Sequence, residues 1–132
     1  MHLASRTLLL VLAFVLAAAF AGGTSAQEAP GGVRLLVQSA PLAGFRYHAA
    51  AEVWSELRVG DALGLEREPD NLHDPNAIAV SWRGRKLGYI PRRDNATLAW
   101  GLDRGAPLQA RISRLAPHPN PARRIEIEVF VE

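Results

Sequence analysis

The sequence predicts a small, mainly β domain: six short strands rolled into a closed or nearly closed barrel, with one or two short helices on its flank. Three observations carry this expectation. Six short apolar runs follow one another, separated by turns rich in Gly, Pro, Asn and Asp. Several of them alternate apolar and polar residues with period two, whereas helical spacing is confined to two brief stretches. The chain has no cysteine, so its core must be built by burial alone, without disulfide staples.

The strands come after a segment of different character. Residues 1–26 carry a single basic residue, Arg6, and no acid. Leu8 to Ala21 is an unbroken apolar run of 14 residues, shorter than the roughly 20 that a bilayer-spanning helix requires. Small residues follow, Gly22-Gly23-Thr24-Ser25-Ala26. A polar start, an apolar run and a small-residue site make the pattern of a secretory signal peptide, with the cut after Ala26. That predicts a secreted or periplasmic domain; an uncleaved anchor is the alternative and leaves the domain on the same side of the membrane. Residues 27–132 hold 14 of the 15 basic residues and all 13 acids, a formal charge of +1. Such a balance excludes a polybasic tail that grips nucleic acid by charge alone. Fourteen arginines against one lysine fit a GC-rich bacterial genome. The lack of cysteine also excludes a thiolate nucleophile or metal ligand and a lipoprotein anchor.

Each element then follows from its residues. Gln27 to Gly32 reads as a leader, and Val33 to Ser39 as the first strand, so that 27–37 is leader and strand start and 38–132 the domain proper. Pro41 to Gly44 is a turn, and Phe45 to His48 reads as a short strand. Ala49 to Leu57 places Val53, Trp54 and Leu57 on one face of one or two helical turns. After a turn at Val59-Gly60-Asp61, Ala62 to Glu68 alternates with period two, with Glu66 and Glu68 on a solvated face. Pro69 to Asn76 is a loop of turn formers. Ala77 to Trp82 reads as a strand, Arg83-Gly84 as a hairpin turn, and Lys86 to Ile90 as the returning strand. Asp94 or a neighbouring residue is placed to cap a helix ending near Leu102. Leu108 to Leu115 and Arg124 to Val131 are the closing strands. In the second, Ile125, Ile127, Val129 and Val131 alternate with Glu126, Glu128 and Phe130. Pro117, Pro119 and Pro121 keep the connection between them out of the sheet.

The informative stretch is Leu65 to Val80, LEREPDNLHDPNAIAV, followed by Lys86-Leu87-Gly88-Tyr89-Ile90-Pro91-Arg92. Taken alone it is a well-made loop between two strands, whose Asn and Asp side chains bond their own backbone. Together with Gly44-Phe45-Arg46-Tyr47-His48 and Val59-Gly60-Asp61, it resembles the HIRAN domain over about residues 38–131. The resemblance implies a small barrel related to the OB-fold. It also implies binding of the 3′-hydroxyl end of single-stranded DNA, the activity of this domain in eukaryotic helicase-like repair ATPases. Bacteria carry stand-alone copies of it.

Carried over residue by residue, the resemblance assigns Arg46 to backbone phosphate and Tyr47 to stacking on a terminal base. Asn71 is a polar loop position beside the terminal nucleotide. Asp74 accepts a hydrogen bond from the 3′-hydroxyl, a role that suits a carboxylate because it repels a phosphate. Arg92 lies near the phosphates and Tyr89 on the adjoining wall. His73 stands where the DNA-binding members have a tyrosine; an imidazole stacks over less area. Each assignment has a structural alternative. Tyr47 can be a core or barrel-rim aromatic, Arg46 and Arg92 surface charges, and Asn71 and Asp74 makers of Asx-turns. Trp54, Trp82 and Trp100 read as packing residues.

Enzyme chemistry finds little support. His48, His73 and His118 share no metal-binding spacing, and no nucleophile elbow or phosphate-binding glycine loop occurs. Asn95-Ala96-Thr97 fits a glycosylation sequon. The expectation is therefore a monomeric, non-catalytic module without cofactor or metal, binding a single-stranded nucleic-acid end or nucleotide. The alternative is an envelope module that keeps the barrel and binds a protein or peptide instead. Membership of a metal- or ATP-hydrolase-associated system is a distant third.

Overall fold

The computed structural model describes residues 33–132; the expected signal peptide and the expected leader, residues 27–32, lie outside the described residues. Six antiparallel strands form one sheet in the order β1-β6-β5-β2-β3-β4. They are β1 (Leu35–Pro41), β2 (Ala62–Arg67), β3 (Ile78–Trp82), β4 (Arg85–Tyr89), β5 (Gln109–Leu115) and β6 (Ile125–Val131). Two helices accompany them: α1 (Ala50–Val53), which runs on into a 3-10 turn at Trp54–Glu56, and α2 (Arg92–Asp103). Among the described residues no helix is long and apolar enough to cross a membrane.

The period-two strands bury the faces the sequence assigns to them. On β6, Ile125, Ile127 and Val129 are buried, and they meet Ile112 and Ala110 of β5, Val80 of β3 and Leu87 of β4 in one core. Fully burying a Val, Leu or Ile side chain contributes roughly 1.5–3 kcal/mol, so a dozen such residues hold the sheet together. Phe130, expected among the polar positions of β6, is buried at 5% exposure, with the guanidinium groups of Arg34 and Arg111 over its ring at 5.1 and 5.2 Å. Two arginine stems and cation–π attraction replace solvent there.

The β3–β4 hairpin turns at Arg83 and Gly84, both with positive φ (46° and 77°). That pairing is the mirror-image turn whose twist suits a two-residue hairpin. Arg83 adopts the rarer conformation while lying over the Trp82 ring at 4.5 Å. Helix α2 begins directly after Pro91, whose φ of −57° already suits a helix start. Asp94 therefore lies in its first turn, with its charge near the helix N-terminus, rather than serving as the cap that the sequence suggested.

Phe45 to His48 is not a strand. Phe45–Tyr47 is a 3-10 turn, closed by the Tyr47 amide donating to the Gly44 carbonyl at 3.0 Å. The apolar–polar alternation there imitates a strand, but Phe45 must turn inward, where it is buried and meets Trp54 edge-on at 5.8 Å. The barrel is also not closed by strand pairing. β1 and β4 are the two edges, and they are joined by one bridge just past the end of β1. Ala43 and Tyr89 exchange both backbone hydrogen bonds, at 2.8 and 2.9 Å. Gly88 lets the edges approach so closely: a Cβ at that position would sit 2.1 Å from the Ala43 carbonyl oxygen.

Candidate functional site

The loop from Glu68 to Ala77 is built by its own side chains. Asn71 Oδ1 accepts from the amides of His73 (2.9 Å) and Asp74 (3.1 Å), and Asp74 Oδ1 accepts from the Asn76 amide (2.9 Å). These are the Asx-turns that the Asn/Asp/Pro composition suggests. The outside of the loop is clamped by Arg67. Its guanidinium donates to the carbonyls of Ala77 (2.7 Å) and Pro75 (2.9 Å) and pairs with Asp103 at the end of α2 (2.9 Å). Arg92, in the first turn of α2, donates to the His73 carbonyl (2.7 Å).

Asp74 is held at both carboxylate oxygens. Its second oxygen accepts from Asn95 Nδ2 at 2.7 Å, and Asn95 is itself 1% exposed, on the inner face of α2. Burial pushes the Asp74 carboxyl up. The Asn76 amide, the Asn95 amide group and the charges of Arg92 and Arg67 outweigh it, and the net shift is downward. The group is thus an ionised acceptor at neutral pH. A carboxylate has about four lone-pair directions, so two held bonds leave room for another donor.

A second network, joined to the first through Asn71, backs the wall that carries Tyr89. Glu68 accepts from Lys86 Nζ (2.7 Å), the Tyr89 hydroxyl (2.8 Å) and Asn71 Nδ2 (3.1 Å), and Lys86 also donates to the Tyr89 hydroxyl (3.0 Å). Chiefly through the Lys86 hydrogen bond, and against the upward push of burial, the Glu68 carboxyl falls from 4.5 to about 2. The same bond raises Lys86. The Tyr89 ring is thereby fixed edge-on to His48, 5.4 Å between centroids.

Between these walls lies a cavity of about 670 Å³, lined by Tyr47, Asn71, His73, Asp74, Tyr89 and Arg92 together with His48 and the Ala43–Gly44 and Ala77 backbone. Six of the seven residues singled out in the sequence thus face one space. Tyr47 is 83% exposed at the cavity mouth, an uncovered ring rather than a core aromatic. Arg46 does not line the cavity; it is exposed on the same turn. Of the tryptophans, Trp82 is buried and Trp54 packs on the core, whereas Trp100 is 59% exposed beneath Arg104.

Sequence reasoning missed four of the groups that set this geometry. Glu68, expected on a solvated face, is the hub of the second wall. Arg67 and Lys86 lie inside the two informative stretches, which assign neither of them a role, and Asn95 stands out only as part of a sequon. The signals available were indirect: Lys86 is the chain's one lysine, and Asn95 falls where α2 needs an inward-facing residue, three and four positions before Leu98 and Ala99. Among the described residues, no three His, Cys, Asp or Glu side chains converge as a metal site.

The fold and the site together define a small β-module: a six-stranded, nearly closed barrel with an aromatic, basic and carboxylate-lined pocket at its seam. The HIRAN domain model matches residues 35–132, and the chain belongs to that family. A solved protein from Lactobacillus plantarum superposes with a TM-score of 0.65 at 30% identity, over 76% of this chain and 96% of that one. The HIRAN domain of human HLTF superposes with a TM-score of 0.54 at 19% identity, over 74% of this chain and 78% of that one, a likeness of fold. The Fanconi-associated nuclease 1 homolog of Oryza sativa subsp. japonica is 39% identical over 67 residues. That match takes in 48% of this chain and only 6% of the rice protein.

Proposed function

We propose that this chain is a non-catalytic module that binds an end of single-stranded nucleic acid, taking the terminal nucleotide into the pocket between Tyr47 and Asp74. The observation that carries the reading is the pairing of an uncovered aromatic ring with an ionised, pre-positioned carboxylate in one cavity. Tyr47 offers a face for a base, an interaction worth roughly 1–3 kcal/mol. Asp74 accepts from a terminal hydroxyl and repels a terminal phosphate. Arg92 supplies positive charge at the rim. The HIRAN family supports this choice of ligand, and the signal-peptide pattern of residues 1–26 supports a role outside the cytoplasm.

The test is fluorescence anisotropy with a short single strand bearing a free 3′-hydroxyl and the same strand bearing a 3′-phosphate. The hydroxyl strand binds and the phosphate strand does not. Tyr47→Ala and Asp74→Ala abolish binding while the domain stays folded. Equal binding by wild type and both variants overturns the reading. A second reading, an envelope module for a protein or peptide, is favoured by the exposed apolar run Leu35-Leu36-Val37 on edge strand β1. It predicts no nucleic-acid affinity at ~150 mM salt, where charge contacts alone are weak.

A further inference from the structure

A second cleft, of about 680 Å³, lies beyond the pocket and is lined by Arg93, Arg114, Arg123, His118, Asn120 and Glu126. Its arginines come from three elements: the first turn of α2, strand β5 and the 3-10 turn Pro121–Arg123. Arg114 and Arg123 are exposed, and among the described residues neither forms an ion pair. Arg93 meets only its neighbour Asp94, at 3.4 Å. The single acid is Glu126, opposite Arg114 in the β5–β6 register. The cleft is therefore positive, with guanidinium groups turned to solvent and uncommitted to the fold.

Its position relative to the pocket is set by three adjacencies. Arg92 lines the pocket and Arg93 the cleft, on consecutive positions of α2. Ala43 lines the pocket and Pro41 the cleft, on either side of buried Leu42. The Phe45–Tyr47 turn, which carries Tyr47 and Arg46, packs on the Pro121–Arg123 turn, which carries Arg123. The two spaces thus share a ridge, and a chain leaving the first can pass directly into the second.

The geometry points to the Arg93–Arg114–Arg123 cleft as a binding site for the phosphodiester backbone of a single strand, holding the nucleotides upstream of the end seated at Tyr47 and Asp74. This rests on the end-pocket reading above. The chemistry fits a backbone rather than bases: the lining has three charged forks suited to phosphate, and its one ring is the half-buried His118 imidazole, whose Nδ1 accepts from the Asn120 amide. The absence of a carboxylate partner for Arg114 and Arg123 leaves their donors for a ligand. The division of labour follows: the pocket reads the end, and the cleft adds affinity that grows with strand length and falls with salt.

The experiment uses the full chain and 5′-labelled oligothymidylates of about 3 and about 12 nucleotides with free 3′-hydroxyls, the longer one matching the span of a barrel of this size. Wild type binds the longer strand about tenfold more tightly. In Arg93→Gln/Arg114→Gln/Arg123→Gln that advantage disappears, the short strand binds as before, and the slope of log affinity against log salt falls by about 2, at ~0.7 per phosphate contact. The matching triple Arg→Lys variant keeps the length advantage, because a point charge still meets phosphate. A triple Gln variant that binds the longer strand like wild type overturns the cleft while leaving the pocket intact. If the short strand fails to bind and Tyr47→Ala changes nothing, yet the long strand depends on the three arginines, the pocket reading falls and the cleft stands.

Discussion

The β5–β6 half of the sheet and the pocket wall are built on opposite principles. Ile112, Ile125, Ile127 and Val129 are buried and add apolar contact to the β5–β6 backbone ladder, with the Arg111–Glu128 pair at 3.0 Å on its outer side. Around the pocket, Glu68, Asn71, Asp74, Lys86, Tyr89 and Asn95 are held by directed hydrogen bonds, and most keep some contact with solvent. The first region tolerates little loss of volume. The second fixes orientation at small cost in bulk, and its grip depends on protonation. A domain that must present uncovered polar groups to a ligand needs the second kind of construction, and it can afford that only because the first supplies the stability.

The contrast breaks most strongly in the core. Ile127→Ala removes a fully buried side chain, and denaturant unfolding registers a loss of about 3 kcal/mol, within the usual range for such cavities. Asn95→Ala comes next. It removes the buried donor to Asp74 and costs about 2 kcal/mol. The Asp74 carboxyl then moves back up towards its ordinary value, which a carboxylate-resolved NMR titration detects. An unchanged Asp74 titration would show that Asn95 merely packs.

Acid separates the two regions without mutation. A carboxylate held below its ordinary value stabilises the folded state above that value and loses the contribution as pH falls. For Glu68 the window runs from about 4.5 down to about 2. The contribution is on the order of 2 kcal/mol, discounted for the 27% of the side chain that solvent reaches. Asp74 adds to it in the same direction. Thermal unfolding followed from pH 7 into that window shows the loss, and Glu68→Gln flattens it. The smallest effect on stability is expected at Tyr47→Ala, within about 0.5 kcal/mol for an exposed ring; a larger loss would mean that this ring serves the fold.

The strands were legible because burial writes itself into sequence as alternation. Ile125 to Val131 and Ala62 to Glu68 needed nothing beyond period two. The loop was legible for a local reason as well: Asn71 and Asp74 bond amides two or three residues away, so neighbouring sequence contains both partners. The groups that escaped all have distant partners. Glu68 meets Lys86 and Tyr89 eighteen and twenty-one positions on, and Asn95 reaches back twenty-one to Asp74. No local pattern encodes such pairs. Phe45–Tyr47 was misread for a related reason, since alternation cannot distinguish a strand from a turn that tucks one aromatic inward and leaves the next outside. The HIRAN resemblance gathered six of the seven candidate residues at one cavity, because a family motif carries the three-dimensional proximity that spacing alone lacks.

The Ala43–Tyr89 bridge ties the two sheet edges with a single pair of hydrogen bonds, and the same two residues line the pocket. Such a latch is the sheet's least redundant connection. Its two amides should exchange with deuterated solvent sooner than those within the β5–β6 ladder. A molecule seated between Tyr47 and Asp74 would rest on the latch and slow that exchange. Occupancy could then be followed from the isotope content of two backbone positions, whatever the chemical nature of the occupant.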